Sequence, residues 1–119
     1  MSSPSPADDG ARRADQLLAL LADGHRDAAG QLLAGLDVRD LTFTGAGLTV
    51  AARAERHRLP PAMRAQANSR QMRLGQLRDA NRADAVGLRG WLVSAAEEVL
   101  FLRSLPHTDG AEARDAHRR

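Results

Sequence analysis

Leu88, Leu92, Ala95, Val99 and Leu102 recur at steps of four and three, and this spacing constrains the chain more than any other feature. Side chains at those intervals share one face of an α-helix. Trp91, Ala96 and Leu100 widen the stripe. A face that broad has to be covered, so its helix belongs at the centre of a fold built from other helices. Two earlier segments offer partners of the same kind. Ala14, Leu17, Leu18 and Leu21 share a face of a helix expected near 11–22, capped by Asp8 or Asp9 and ended by Asp23-Gly24. Ala29, Leu32, Leu33 and Leu36 do the same near 26–36. Gln-Leu-Leu-Ala occurs in both, at 16–19 and 31–34, and marks two similar amphipathic helices that pair as a hairpin.

The middle of the chain has two readings. Asp37 can cap a helix, with Asp40 three residues on, and Leu41, Leu48, Ala52 and Leu59 then line one face. Leu41-Thr-Phe-Thr, Gly45-Ala-Gly and Leu48-Thr-Val also read as two short strands around a turn. A lone hairpin is marginal without a sheet to join, so the helix is favoured, starting between 38 and 48. Leu59-Pro60-Pro61 is the clearest boundary, with Pro61 suited to a first helical position. No proline follows until Pro106. A single helix over 62–105 would span ~66 Å, and the polar run Asp79-Ala-Asn81-Arg82-Ala-Asp84 offers a break where Asn81 or Asp84 caps a new helix. The expected fold is all-α: a small bundle of four to five helices with an N-terminal helical hairpin and a long or broken C-terminal helix pair. A disordered tail over 1–9, one helical domain over 10–105 and a charged flexible tail over 106–119 complete the expected organisation.

Composition narrows the function classes. The chain has no Cys, which excludes disulfides and thiolate metal sites. It also lacks Lys, Ile and Tyr, a pattern of biased coding, so the choice of Arg over Lys carries no signal while the clustering of Arg does. The first residues, MSSPSPADD, have neither a basic nor an apolar region of a secretory signal. The most apolar run, Trp91 to Leu102, is short for a bilayer span and contains Glu97 and Glu98. These features point to a soluble, cytoplasmic protein without a membrane partner.

Charge is distributed unevenly. Residues 53–89 hold nine of the seventeen basic residues against Glu55, Asp79 and Asp84, together with Asn68, Asn81, Gln66, Gln71 and Gln76. Both flanking stretches are net acidic. On a helix, Arg64, Asn68, Gln71, Gly75, Arg78 and Arg82 fall on one face, while Met63, Ala67, Leu74 and Leu77 fall on another, interrupted by Arg70 and Asn81. Arg, Asn and Gln read base edges bidentately and also meet acidic protein faces. A solvated helix face has the same periodicity. The macromolecule-binding candidates are Arg64, Asn68, Gln71, Arg78 and Arg82, with Arg56, Arg58, Arg70 and Arg73 as additional contacts. The candidate partners are an acidic protein surface or duplex DNA.

Val50 to Arg64 resembles the first helix, turn and recognition-helix start of bacterial helix-turn-helix proteins. Ala54 and Leu59 match the small residue and the apolar turn residue that pack the two helices. Arg53, Arg58 and Arg64 depart from the pattern, standing where an apolar residue, a glycine and a packing residue are usual. The resemblance implies that Arg64, Gln66, Asn68 and Arg70 lie near the start of a reading helix.

No catalytic constellation emerges. His25, His57, His107 and His117 are scattered, without the spacing of a zinc or di-iron motif, and read as exposed. Glu97 and Glu98 point about 100° apart on a helix, so they read as a solvent edge or as partners for Arg. Gly45-Ala-Gly47 lacks the rest of a phosphate loop. Phe43, Trp91 and Phe101 are the only aromatics and none lies in the basic helix, which disfavours single-strand stacking. The expected function is therefore a non-catalytic regulator or adaptor, without metal or cofactor, whose basic helix 61–82 docks an acidic surface; a duplex-DNA-binding regulator is the alternative. A stripe from Met63 through Leu102, broken by Asn81, makes a second copy of the chain a further candidate partner.

Overall fold

Side-chain caps set where three of the five described helices begin. The computed structural model describes residues 4–107, and over that span the chain forms α1 (Pro6–Ala22), α2 (Arg26–Ala34), α3 (Val38–His57), α4 (Pro61–Ala80) and α5 (Ala85–Ser104), with no strand among the described residues. The all-α expectation holds.

α1 starts earlier than expected. Ser5 Oγ accepts from the Asp8 amide at 3.1 Å, and the Asp8 carboxylate accepts from the Ser5 amide at 3.4 Å. Pro6 stands at the first helical position. This reciprocal box uses Asp8 as its third helical residue, so residues 6–9 are helical rather than part of a tail. Residues 1–3, most of the expected C-terminal tail and His117 lie outside the described residues. Gly24, with φ of +80°, turns the chain from α1 into α2.

α3 runs unbroken through the segment that also read as a hairpin. Asp37 Oδ1 accepts from the Asp40 amide at 2.8 Å and fixes its start. Thr42, Thr44 and Thr49 donate their hydroxyls to carbonyls four residues back, at 2.8, 2.8 and 3.0 Å, which satisfies these β-prone residues inside a helix. Gly45 is required by packing: a Cβ there would collide with the Trp91 ring. The break after α4 uses both expected residues. Asn81 ends α4, with its side-chain amide donating to the Leu77 carbonyl at 2.8 Å, and Asp84 caps α5 by accepting from the Val86 amide at 3.1 Å.

α3 lies between α1 and α5 and has its most extensive contacts with those two. α5 buries Leu88, Trp91, Leu92, Ala95, Ala96, Val99 and Leu102, every residue of the expected stripe except half-buried Leu100. Facing it are Ala14, Leu17 and Leu18 of α1, Ala29 and Leu33 of α2, and Leu41, Leu48 and Ala52 of α3. α2 closes one side of α1. Leu59, fully buried, anchors the turn before α4. α4 itself buries only Ala67, with Met63 and Leu74 packed against the core and Leu77 43% exposed. The stripe from Met63 to Leu102 is thus folded back on itself at residues 81–84, and much of it is covered within the chain.

Candidate macromolecule-binding surface

Because α4 buries so little, most of its side chains face away from the core, but they do not form one continuous basic face. Arg70 turns toward α5, where its Nε lies 2.7 Å from Glu98 Oε1 and its guanidinium stacks over Phe101 at 4.9 Å. Arg78 pairs with Asp79 at 3.2 Å and approaches the Trp91 ring at 6.0 Å. Arg70 thus braces α4 against α5, whereas the ion pair of Arg78 lies between chain neighbours within α4. Gln71 is half-buried, and Arg73 and Arg82 are exposed without a carboxylate partner among the described residues. Glu97, the neighbour of Glu98, pairs across the molecule with Arg26 at 3.1 Å. The two glutamates thus go to separate arginines and do not act as a pair.

The other end of α4 is arranged differently. Arg64 donates from Nε to the Leu59 carbonyl at 2.9 Å and from Nη2 to the His57 carbonyl at 3.2 Å. These bonds satisfy carbonyls at the end of α3 that have no helical donor, and they hold the Arg64 side chain across the turn. Behind it, Arg53, Arg56, His57, Arg64 and Asn68 line a cleft of about 290 Å³ between the last turn of α3 and the first turns of α4. No acidic residue lines it. Arg56 Nη1 is buried without a hydrogen-bond partner among the described residues. Burial and the neighbouring Arg53 push the Arg56 pKa below its ordinary value, against a smaller upward pull from Glu98. Arg58 sits exposed at the end of α3 on the same corner.

Of the sequence candidates, Arg56, Arg64 and Asn68 come together here; Gln71, Arg78 and Arg82 do not. Sequence reasoning missed Arg53 and His57 as members of the cleft. Their spacing from Arg56 on α3 was visible, but their meeting with Arg64 and Asn68 depends on the angle of the Leu59-Pro60-Pro61 turn. The helix-turn-helix packing is not reproduced at Ala54, which is exposed, although Leu59 is buried. His107 is not exposed either: its Nε2 lies 3.0 Å from the Leu102 carbonyl and 3.5 Å from Glu55 Oε2. Glu55, buried in α3, also receives Arg103 at 3.3 Å, so this cluster ties the end of α5 to α3.

Among the described residues no helix is long and apolar enough to cross a membrane, and no group of three or more His, Asp or Glu could hold a metal ion. Comparison with family models, characterised proteins and solved structures gives no match.

Proposed function

We propose that the chain is a non-catalytic interaction module, a regulator or adaptor, that docks an acidic macromolecular surface through the basic corner where α3 meets α4. The observation that carries this reading is the corner's uncompensated charge. Among the described residues Arg53, Arg56, Arg58, Arg64 and, further along α4, Arg73 and Arg82 have no carboxylate partner, while Arg70 and Arg78 do. Unpaired guanidinium groups gathered where the end of α3 meets the lightly packed α4 repel one another and gain from a partner of opposite sign. A protein surface rich in Asp and Glu supplies that sign without requiring regular spacing.

Duplex DNA is the competing partner for the same helix. The inward turn of Arg70 and Arg78 and the exposure of Ala54 weigh against it, because a reading helix needs its amides and arginines presented along one side. The test measures binding of a fluorescent glutamate-rich peptide and of a random-sequence duplex at physiological salt. The acidic-surface reading expects the peptide to bind more tightly, and Arg58→Ala with Arg73→Ala to weaken it at least tenfold without altering the fold by circular dichroism. Tighter duplex binding, with the steep salt dependence of phosphate neutralisation, overturns it in favour of DNA.

A further inference from the structure

We propose that the cleft between α3 and α4 is a phosphoryl-binding subsite that receives a phosphorylated side chain of the acidic partner. This deepens the docking reading above and rests on it for the source of the phosphoryl group.

The lining is three guanidinium groups, one imidazole and one carboxamide, contributed by two helices, with no acidic residue among them. Donors arriving from several directions suit a tetrahedral group with three terminal oxygens. A planar carboxylate is satisfied by a single bidentate arginine. A phosphoryl group also brings about −1.5 to −2 charges at neutral pH, enough to offset more than one arginine at once. The volume of about 290 Å³ lies just below the range of small-molecule sites, roughly 300–1,000 Å³, which fits a phosphorylated side chain better than a whole nucleotide.

The site is also prepared for an anion. Arg64 is held by the His57 and Leu59 carbonyls, so little side-chain freedom is lost when a ligand arrives. Arg56 carries a buried Nη1 without a partner among the described residues and stands beside Arg53, so the cleft holds like charges close together. The nearby internal counter-charges are engaged elsewhere. Glu98 holds Arg70 at 2.7 Å, and Glu55 holds Arg103 at 3.3 Å with His107 at 3.5 Å. A phosphopeptide is favoured over a nucleic-acid backbone because the cations line one compact cleft instead of tracking a strand. Arginine clusters that gather around one phosphoryl group are a recurring mode of phosphopeptide recognition.

The experiment uses the full chain and begins with inorganic phosphate, compared with chloride at matched ionic strength. Phosphate is expected to raise Tm and to shift the Arg53 and Arg56 side-chain resonances. Arg53→Gln, an exposed substitution, is expected to abolish most of that gain, whereas Arg39→Gln, exposed in the first turn of α3 and outside the cleft, retains it. Arg56→Gln is a second probe; if it fails to fold, Arg53→Gln still decides. A peptide with one phosphoserine flanked by aspartates is then compared with its serine and glutamate versions. It should bind at least tenfold more tightly than either, and Arg53→Gln should erase the difference. Phosphate acting no differently from chloride overturns the subsite, even if glutamate-rich peptides bind and the docking reading survives. Phosphate binding at the cleft with no peptide binding overturns the docking reading and the peptide source with it. A duplex that binds more tightly than the phosphopeptide through Arg53 overturns the peptide source in favour of nucleic acid.

Discussion

α4 and α5 each contain twenty residues and adjoin through a short turn, yet they divide the work of the chain between them. α5 buries seven residues and touches every other helix; α4 buries one. The leucine-rich helix is committed to the fold, while the arginine-rich helix is retained on its edge by Ala67, two half-buried apolar residues and an ion pair. A helix that contributes so little burial yet concentrates so much charge is under few constraints from folding. That asymmetry is what makes α4 and its junction with α3 the place to look for function.

The comparison is broken most directly in the core. Leu92→Ala is expected to cost about 2–5 kcal/mol, since it empties a fully buried site. Leu74→Ala in α4 should cost clearly less, because Leu74 is only half-buried. Urea denaturation of the two variants checks this, and equal losses would make α4 as structural as α5. The next contrast uses glycine. Gly45→Ala should destabilise by about 1–3 kcal/mol, because the added methyl meets the Trp91 ring. Gly75→Ala in α4, whose nearest neighbour is Arg78 Nη2 at 3.9 Å, should stabilise by about 0.5–1 kcal/mol through helix propensity. Thermal melts separate the two signs.

Smaller effects sharpen the division within α4. A double-mutant cycle on Arg70 and Glu98 should give a coupling of about 1 kcal/mol, as their side chains are only 29% and 12% exposed. Arg73→Ala and Arg82→Ala should each change stability by less than about 0.5 kcal/mol, measured by the same denaturation. A large loss at either would assign it a bracing role like that of Arg70.

Most of the fold was legible because its signals were local. The periodicity of α5, Asp37 as a cap, Pro61 as a helix start, and the break between Asn81 and Asp84 all depend on neighbours within a few residues. The early start of α1 was missed because the Asp8 carboxylate suited a cap in its own right. Its actual role, reaching back to the Ser5 amide, is visible only as one half of a box. Gly45 and Gly47 pulled the middle segment toward a hairpin because the need for Gly45 comes from Trp91, forty-six residues away. The cleft was half legible. Arg56, Arg64 and Asn68 stood out by charge and amide content, but their grouping with Arg53 and His57 required the corner geometry. His107 was misread for the same reason, since its partner Glu55 is brought near only by packing of α5 on α3.

Leu59 is fully buried while the helix that follows it is lightly held, and this pairing has a consequence for local opening. Regions with few buried contacts unfold at a fraction of the global free energy. α4, tethered at one end by Leu59 and at the other by the turn into α5, is therefore expected to unfold locally while α1, α3 and α5 remain assembled. Its amides should exchange with solvent well before those of α5. A partner that bridges Arg53 and Arg64 opposes this local opening, and its arrival is then readable as slowed exchange along the whole of α4, including amides that it never touches.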